Sequence, residues 1–132
     1  MGPGSTLLVV DDDHDILFSL QDVLEMEGYR VVTATSGREA LEALRGGLRP
    51  DLILLDLMMP DVSGWAFRAW QRSQAEFASI PVVIVSGQGL SAAEVARLGV
   101  AGYLPKPLDL DELLATVARC VPEDEQPGIA SW

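Results

Sequence analysis

The residues able to do chemistry gather behind short aliphatic runs. Asp11, Asp12 and Asp13 follow one such run, Asp56 follows Leu52-Ile-Leu-Leu, Ser86-Gly87 follow Val82-Val-Ile-Val, and Lys106-Pro107 follow Tyr103-Leu-Pro. Carboxylates brought together repel one another, which raises a pKa or demands a cation. A hard cation with oxygen ligands relieves the repulsion, and Mg2+ is the usual one where phosphate is also handled. Taken alone, Asp11 and Asp12 fit a solvated turn equally well, while Asp13 and Asp15 suit the first turn of a helix. Asp56 can form a turn, or act as a nucleophile that accepts a phosphoryl group as an acyl phosphate. That transfer needs charge neutralisation and alignment more than acid–base machinery. Lys106, the only lysine of the chain, can pair with phosphoryl oxygens, and the Ser86 hydroxyl can donate a hydrogen bond. A solvated lysine and an ordinary Ser-Gly turn each account for one residue. They become the weaker account once Asp11, Asp12 and Asp56 are considered with them.

The elements that must hold these groups can be traced along the chain. Five apolar runs, Leu7–Val10, Arg30–Ala34, Leu52–Leu57, Val82–Val85 and Gly102–Leu104, have the length and composition of strands. Stripes at helical spacing lie between and after them. They comprise residues 16–24 ending near Gly28, residues 40–44 ending at Gly46-Gly47, Trp65 to about Phe77, Ala92 to Leu98, and residues 110–121. Asp109 with Glu112 three residues later is a capping-box-like start for the last helix. Alternation in this order predicts an α/β fold, (βα) five times, with a parallel sheet, right-handed crossovers and helices on both faces. Ligands of such sheets bind outside the carboxyl ends of the strands, which is where the acids, the hydroxyl and the ammonium fall.

Composition narrows the function. The chain has 132 residues, nearly half of them apolar, and a formal net charge of −11. A single cysteine, Cys120, excludes an intramolecular disulfide framework, and a single histidine, His14, excludes a His-rich metal site. Direct binding of nucleic acid is disfavoured because the average surface repels a phosphate backbone. No apolar run approaches the ~20 residues that span a bilayer, so no membrane partner is expected and a cytoplasmic location is the default. Residues 1–5 read as an expression scar, 6–122 as the folded domain, and 123–132 as a polar tail or the start of a linker.

The motifs Leu-Leu-Val-Val-Asp11-Asp12-Asp13, Asp56-Leu-Met-Met-Pro60-Asp61-Val-Ser-Gly64, Val-Ser86-Gly87 and Tyr103-Leu-Pro-Lys106-Pro107 occur in that order. Together they resemble the receiver domain of two-component response regulators, over Leu7 to about Val121. The resemblance implies a doubly wound, flavodoxin-like sheet with strand order 2-1-3-4-5. It implies that Asp56 is the phospho-acceptor and that the cofactor is Mg2+. Asp12 would bind the ion directly, Asp11 mainly through water, and the Met58 backbone carbonyl and Asp56 would complete the protein ligands. It further implies that Lys106 pairs with the phosphoryl group and that the Lys106-Pro107 peptide is cis. Ser86 becomes the switch hydroxyl and Tyr103 the aromatic that swings inward with it. Met58 and Gln88 fall at positions thought to tune dephosphorylation. The implied partners are a sensor histidine kinase or a histidine phosphotransfer protein, and a second receiver copy. The implied role is a bacterial phosphorelay switch that assists only its own phosphorylation and dephosphorylation.

Three other readings compete. A Mg2+-dependent phosphohydrolase of haloacid-dehalogenase type wants a second acid two residues after the nucleophile, where this chain has Met58. A flavodoxin-like cofactor binder needs a Gly/Ser/Thr-rich phosphate cradle after the first strand, where three aspartates stand. A degenerate receiver acting only by docking is disfavoured because every acceptor-site residue is present.

Overall fold

The structure, a computed structural model, describes residues 4–121. Most of the expected scar and all of the expected tail, residues 123–132, lie outside the described residues. The elements run β1 (Thr6–Val10), α1 (His14–Met26), β2 (Arg30–Ala34), α2 (Gly37–Arg45), β3 (Leu52–Leu55), α3 (Gly64–Ser73), β4 (Val82–Ser86), α4 (Ala92–Leu98), β5 (Gly102–Pro105) and α5 (Leu110–Cys120). The five strands form one parallel sheet in the order β2-β1-β3-β4-β5. This is the order that the resemblance implied.

Strand periodicity divides the core in two. Leu8, Val10, Ile53, Leu55, Val82 and Ile84 point to one face and pack with Ala40, Leu44, Phe67 and Leu98 from α2, α3 and α4. Leu7, Val9, Leu52, Leu54, Val83 and Val85 point to the other and pack with Leu17, Leu20, Leu24, Leu113 and Val117 from α1 and α5. The three central strands are therefore buried on both faces, which is why they read as continuous aliphatic runs.

Side-chain caps fix where the helices start. Asp13 accepts from the N–H groups of Asp15 and Ile16, Ser36 from Glu39, Ser63 from Ala66 and Asp109 from Glu112. The complete reciprocal capping box belongs to Ser91 and Glu94 at the start of α4.

Two elements end earlier than the sequence reading by two residues or more. β3 ends at Leu55 rather than Leu57, because the chain turns back after Asp56 and the Leu57 carbonyl accepts the Gly64 N–H at 3.1 Å. α3 ends at Ser73 rather than near Phe77. Phe77 fills the core from a turn, which continued the apolar periodicity past the helix end. The buried Gln71 side chain holds that turn by donating to the carbonyls of Phe77 (2.9 Å) and Ile80 (3.0 Å).

Candidate functional site

The parallel register carries the acids to one edge. Val10 of β1 pairs with Leu55 of β3, so the next residues, Asp11 and Asp56, leave the sheet side by side. Each ladder continues for one bond beyond the strands. The Asp56 N–H donates to the Val10 carbonyl (3.0 Å), the Asp11 N–H to Ala34 (3.1 Å) and the Lys106 N–H to Ser86 (3.0 Å). The backbones under Asp11, Asp56 and Lys106 are thereby fixed by main-chain bonds rather than by loop packing. The Lys106–Pro107 peptide is cis.

Asp11 and Asp56 are buried, at 2% and 4% exposure, while Asp12 is exposed. One carboxylate oxygen from each of the three lies within 4.8 Å of the others. Lys106 reaches in from the far side, with Nζ 2.7 Å from Asp11 Oδ2 and 3.5 Å from Asp56 Oδ2. The other oxygens of the buried acids take backbone donors, Asp11 Oδ1 from Asp13 N–H (2.9 Å) and Asp56 Oδ1 from Met58 N–H (3.2 Å). The site thus gathers three carboxylates against one ammonium. An all-oxygen donor set with surplus negative charge and one exposed acid fits a hard divalent cation such as Mg2+.

Burial pushes the Asp56 carboxyl above its ordinary value, and the neighbouring Asp11 charge adds to this; the Met58 N–H and the Lys106 charge only partly offset them. Burial alone would lower the Lys106 ammonium. Its hydrogen bond to Asp11 and the charges of Asp11 and Asp56 outweigh that, leaving it raised. An acid whose folded-state pKa is raised costs stability once it ionises, and the cost disappears below the ordinary carboxylate range. Asp56→Asn is therefore expected to be more stable than the wild type at neutral pH, by about 1 kcal/mol. The gain should shrink as the pH falls toward about 4. Thermal melts of both proteins across that range check it.

Ser86, at the end of β4, is fully buried, and its Oγ accepts the Gln88 N–H at 3.1 Å. Tyr103 on β5 is half-buried and donates its hydroxyl to the Gln88 carbonyl at 2.9 Å. One residue, Gln88, thereby joins the two side chains. The sequence reading treated Gln88 only as a variable position, and nothing in its type signals the connection. The Met58 side chain is 63% exposed beside Asp56. The structure brings Asp11, Asp12, Asp56 and Lys106 into one cluster and links Ser86 to Tyr103 through Gln88 as a neighbouring group. His14 starts α1 on the surface, and Trp65 and Trp70 pack against the core.

Comparisons with known proteins agree with this arrangement. The response regulator receiver domain family matches residues 7–118. The chain is 38% identical over 124 residues to the response regulator MprA of Mycolicibacterium vanbaalenii, covering 89% of this chain and 52% of that protein. It spans about half the length of the curated relatives it matches. Among solved structures, the chemotaxis protein CheY4 of Vibrio cholerae superposes with a TM-score of 0.80 at 31% identity, covering 89% of this chain and 99% of that one. The response regulator TrrA of Thermotoga maritima, solved in complex with Mg(2+)-BeF, superposes with a TM-score of 0.78 at 28% identity, covering 89% and 99%. With the family match running over nearly all the described residues and its acid edge in place, the chain belongs to the response regulator receiver domain family.

Proposed function

We propose that this receiver is a phosphorylation-activated switch whose acceptor is Asp56 and whose working unit is residues 6–122. The observation that carries the reading is the position of Lys106, whose ammonium lies between two buried carboxylates, Asp11 and Asp56, at the edge of the sheet. In the transfer, a carboxylate oxygen of Asp56 bonds to phosphorus, the phosphorus–nitrogen bond of a phospho-histidine breaks, and its electron pair returns to the imidazole. The donor is a sensor histidine kinase or a histidine phosphotransfer protein, met in the cytoplasm. Among the described residues no helix is long and apolar enough to cross a membrane.

Asp11, Asp12, Asp56 and the Met58 backbone carbonyl would hold Mg2+, the ion in whose presence the Thermotoga neighbour was solved. When bound, the ion neutralises charge on the transferring phosphoryl group. Lys106 supplies the remaining positive charge and orients one phosphoryl oxygen. The cleft that Lys106 lines, together with Ile16, Leu20, Leu108 and Leu110, gives a donor protein an apolar surface, and Phe18 on α1 is also exposed.

The readout follows from the Gln88 linkage. A phosphoryl group at Asp56 offers strong acceptor oxygens, toward which the Ser86 hydroxyl turns to donate. That movement takes away the acceptor of the Gln88 N–H and shifts residues 87–88. Tyr103 then loses its carbonyl partner and rotates inward. Phosphorylation in this way biases a two-state equilibrium of the face made by α4, β5 and α5, which meets a partner or a second receiver. NMR of the phosphorylated wild type and of phosphorylated Ser86→Ala, following amides of residues 87–115, tests the coupling. Large shifts in the wild type and small ones in the variant are expected. Equal shifts across that face would refute it.

A further inference from the structure

A second charged site lies between α3 and α4. Trp65, Arg68, Ala69, Arg72, Arg97 and Leu98 line a cleft of about 400 Å³. α4 starts on the acid side of the sheet and runs back antiparallel to β4, so its last turn, with this cleft, lies toward the opposite edge. Three guanidinium groups share the cleft in a chain whose net charge is −11.

None of the three is balanced by a carboxylate among the described residues, whose ion pairs are those of Lys106 and of Arg49 with Glu76. Arg68 is only 6% exposed. Its Nε donates to the Leu98 carbonyl (2.9 Å), Nη1 to Gln71 Oε1 (2.7 Å) and Nη2 to the Gly99 carbonyl (2.7 Å). Arg72 Nη1 donates to the carbonyls of Arg97 (2.8 Å) and Leu98 (3.2 Å). These carbonyls end α4, where the helix dipole is negative. They fix Arg68 and Arg72 in place and offset only part of the charge. Burial first, and then the charge of Arg72, depress the Arg68 pKa. Arg68 spends its nitrogens on these partners, whereas Arg72 keeps Nε and Nη2 uncommitted among the described residues and, with the exposed Arg97, offers guanidinium donors of the kind that match phosphate oxygens. The Trp65 indole adds a flat apolar wall.

We propose that the α3–α4 cleft binds a small phosphate-bearing anion, held by Arg72 and Arg97 beside the buried charge of Arg68. The proposal rests on the cleft alone and not on chemistry at Asp56. A concave site of this size between two helices suits a small ligand better than a flat acidic protein surface.

The test is an NMR titration of Asp56→Asn in excess chelator, so that neither an acyl phosphate nor a metal-bound phosphate contributes. Pyrophosphate and ADP are the probes. Saturable shifts are expected in the amides of residues 65–72 and 97–99. Arg97→Gln and Arg72→Gln change exposed side chains and should each weaken binding by about tenfold, with melting curves confirming that both fold. Tighter binding of ADP than of pyrophosphate would mean that the ligand carries a ring against Trp65. Equal binding would mean that phosphate alone is recognised, and either result supports the site. Absence of saturable shifts with both probes, or affinity unchanged in Arg97→Gln, would overturn it. So would saturable binding of a Glu-rich peptide at these amides that pyrophosphate fails to displace.

Discussion

Lys106→Ala is expected to lower the melting temperature at neutral pH by about 10 °C, corresponding to a loss of ~3 kcal/mol. Among the described residues the lysine is the one cation within reach of the buried Asp11 and Asp56 carboxylates. Removing it leaves two like charges facing each other at low exposure. The deficit has a defined pH dependence. Burial already holds the Asp56 carboxyl above its ordinary value, and losing the Lys106 charge lets it rise further. The folded variant then takes up a proton more readily than the unfolded chain. The deficit is therefore full above the folded-state pKa and shrinks as the pH falls through it. Millimolar Mg2+ should restore more stability to the variant than it adds to the wild type, since an ion held by Asp11, Asp12 and Asp56 as proposed would bind the native state and relieve the same repulsion. Melts at neutral and acidic pH, with and without Mg2+, measure this. A deficit independent of pH would mean that Lys106 contributes packing rather than charge.

Gly64→Ala is expected to be the most destabilising single-methyl change at the site, at about 3 kcal/mol or more. A Cβ at Gly64 would stand 2.2 Å from the Asp56 carbonyl oxygen and 2.6 Å from Leu57 Cα. Both are backbone atoms, so no rotamer change relieves the clash, and the segment that carries Asp56 must move. Phosphorylation should fall together with stability. Gly89→Ala is the control, because nothing lies within 4 Å of its added Cβ. Urea unfolding compares them. Equal midpoints for the two variants would show that the close approach of α3 to Asp56 is unimportant.

The sheet and its order of elements were legible because period-2 and period-3.6 apolar patterns alternate cleanly, and the doubly buried strands are nearly pure aliphatic. The acid edge was legible for a related reason. Asp11, Asp56, Ser86 and Lys106 are polar residues standing where apolar runs stop, and a parallel register brings such stops together. What the sequence concealed depends on side chains meeting across long separations. Lys106 was read as a partner of phosphoryl oxygens, yet in the structure it ion-pairs with Asp11 across 95 positions. Gln88 joins Ser86 and Tyr103 through its backbone, which carries no signal of residue type. Arg68 and Gln71 are buried polar residues on α3 whose partners are carbonyls of α4's end and of the turn after α3. Helical spacing marks out α3 but cannot supply those acceptors. The end of α3 was misplaced because Phe77 obeys the helical period from outside the helix.

The most direct measurement is the intact mass of the protein after incubation with acetyl phosphate, with Mg2+ and with chelator, followed by fragmentation to locate the adduct. The acid cluster and Lys106 predict one phosphoryl group, located on Asp56, formed with Mg2+ and absent with chelator. Asp12→Ala should lose most of the labelling and Asp56→Asn all of it. An adduct on another residue, or labelling that persists unchanged in chelator or in Asp56→Asn, would contradict the assignment of Asp56 as the acceptor.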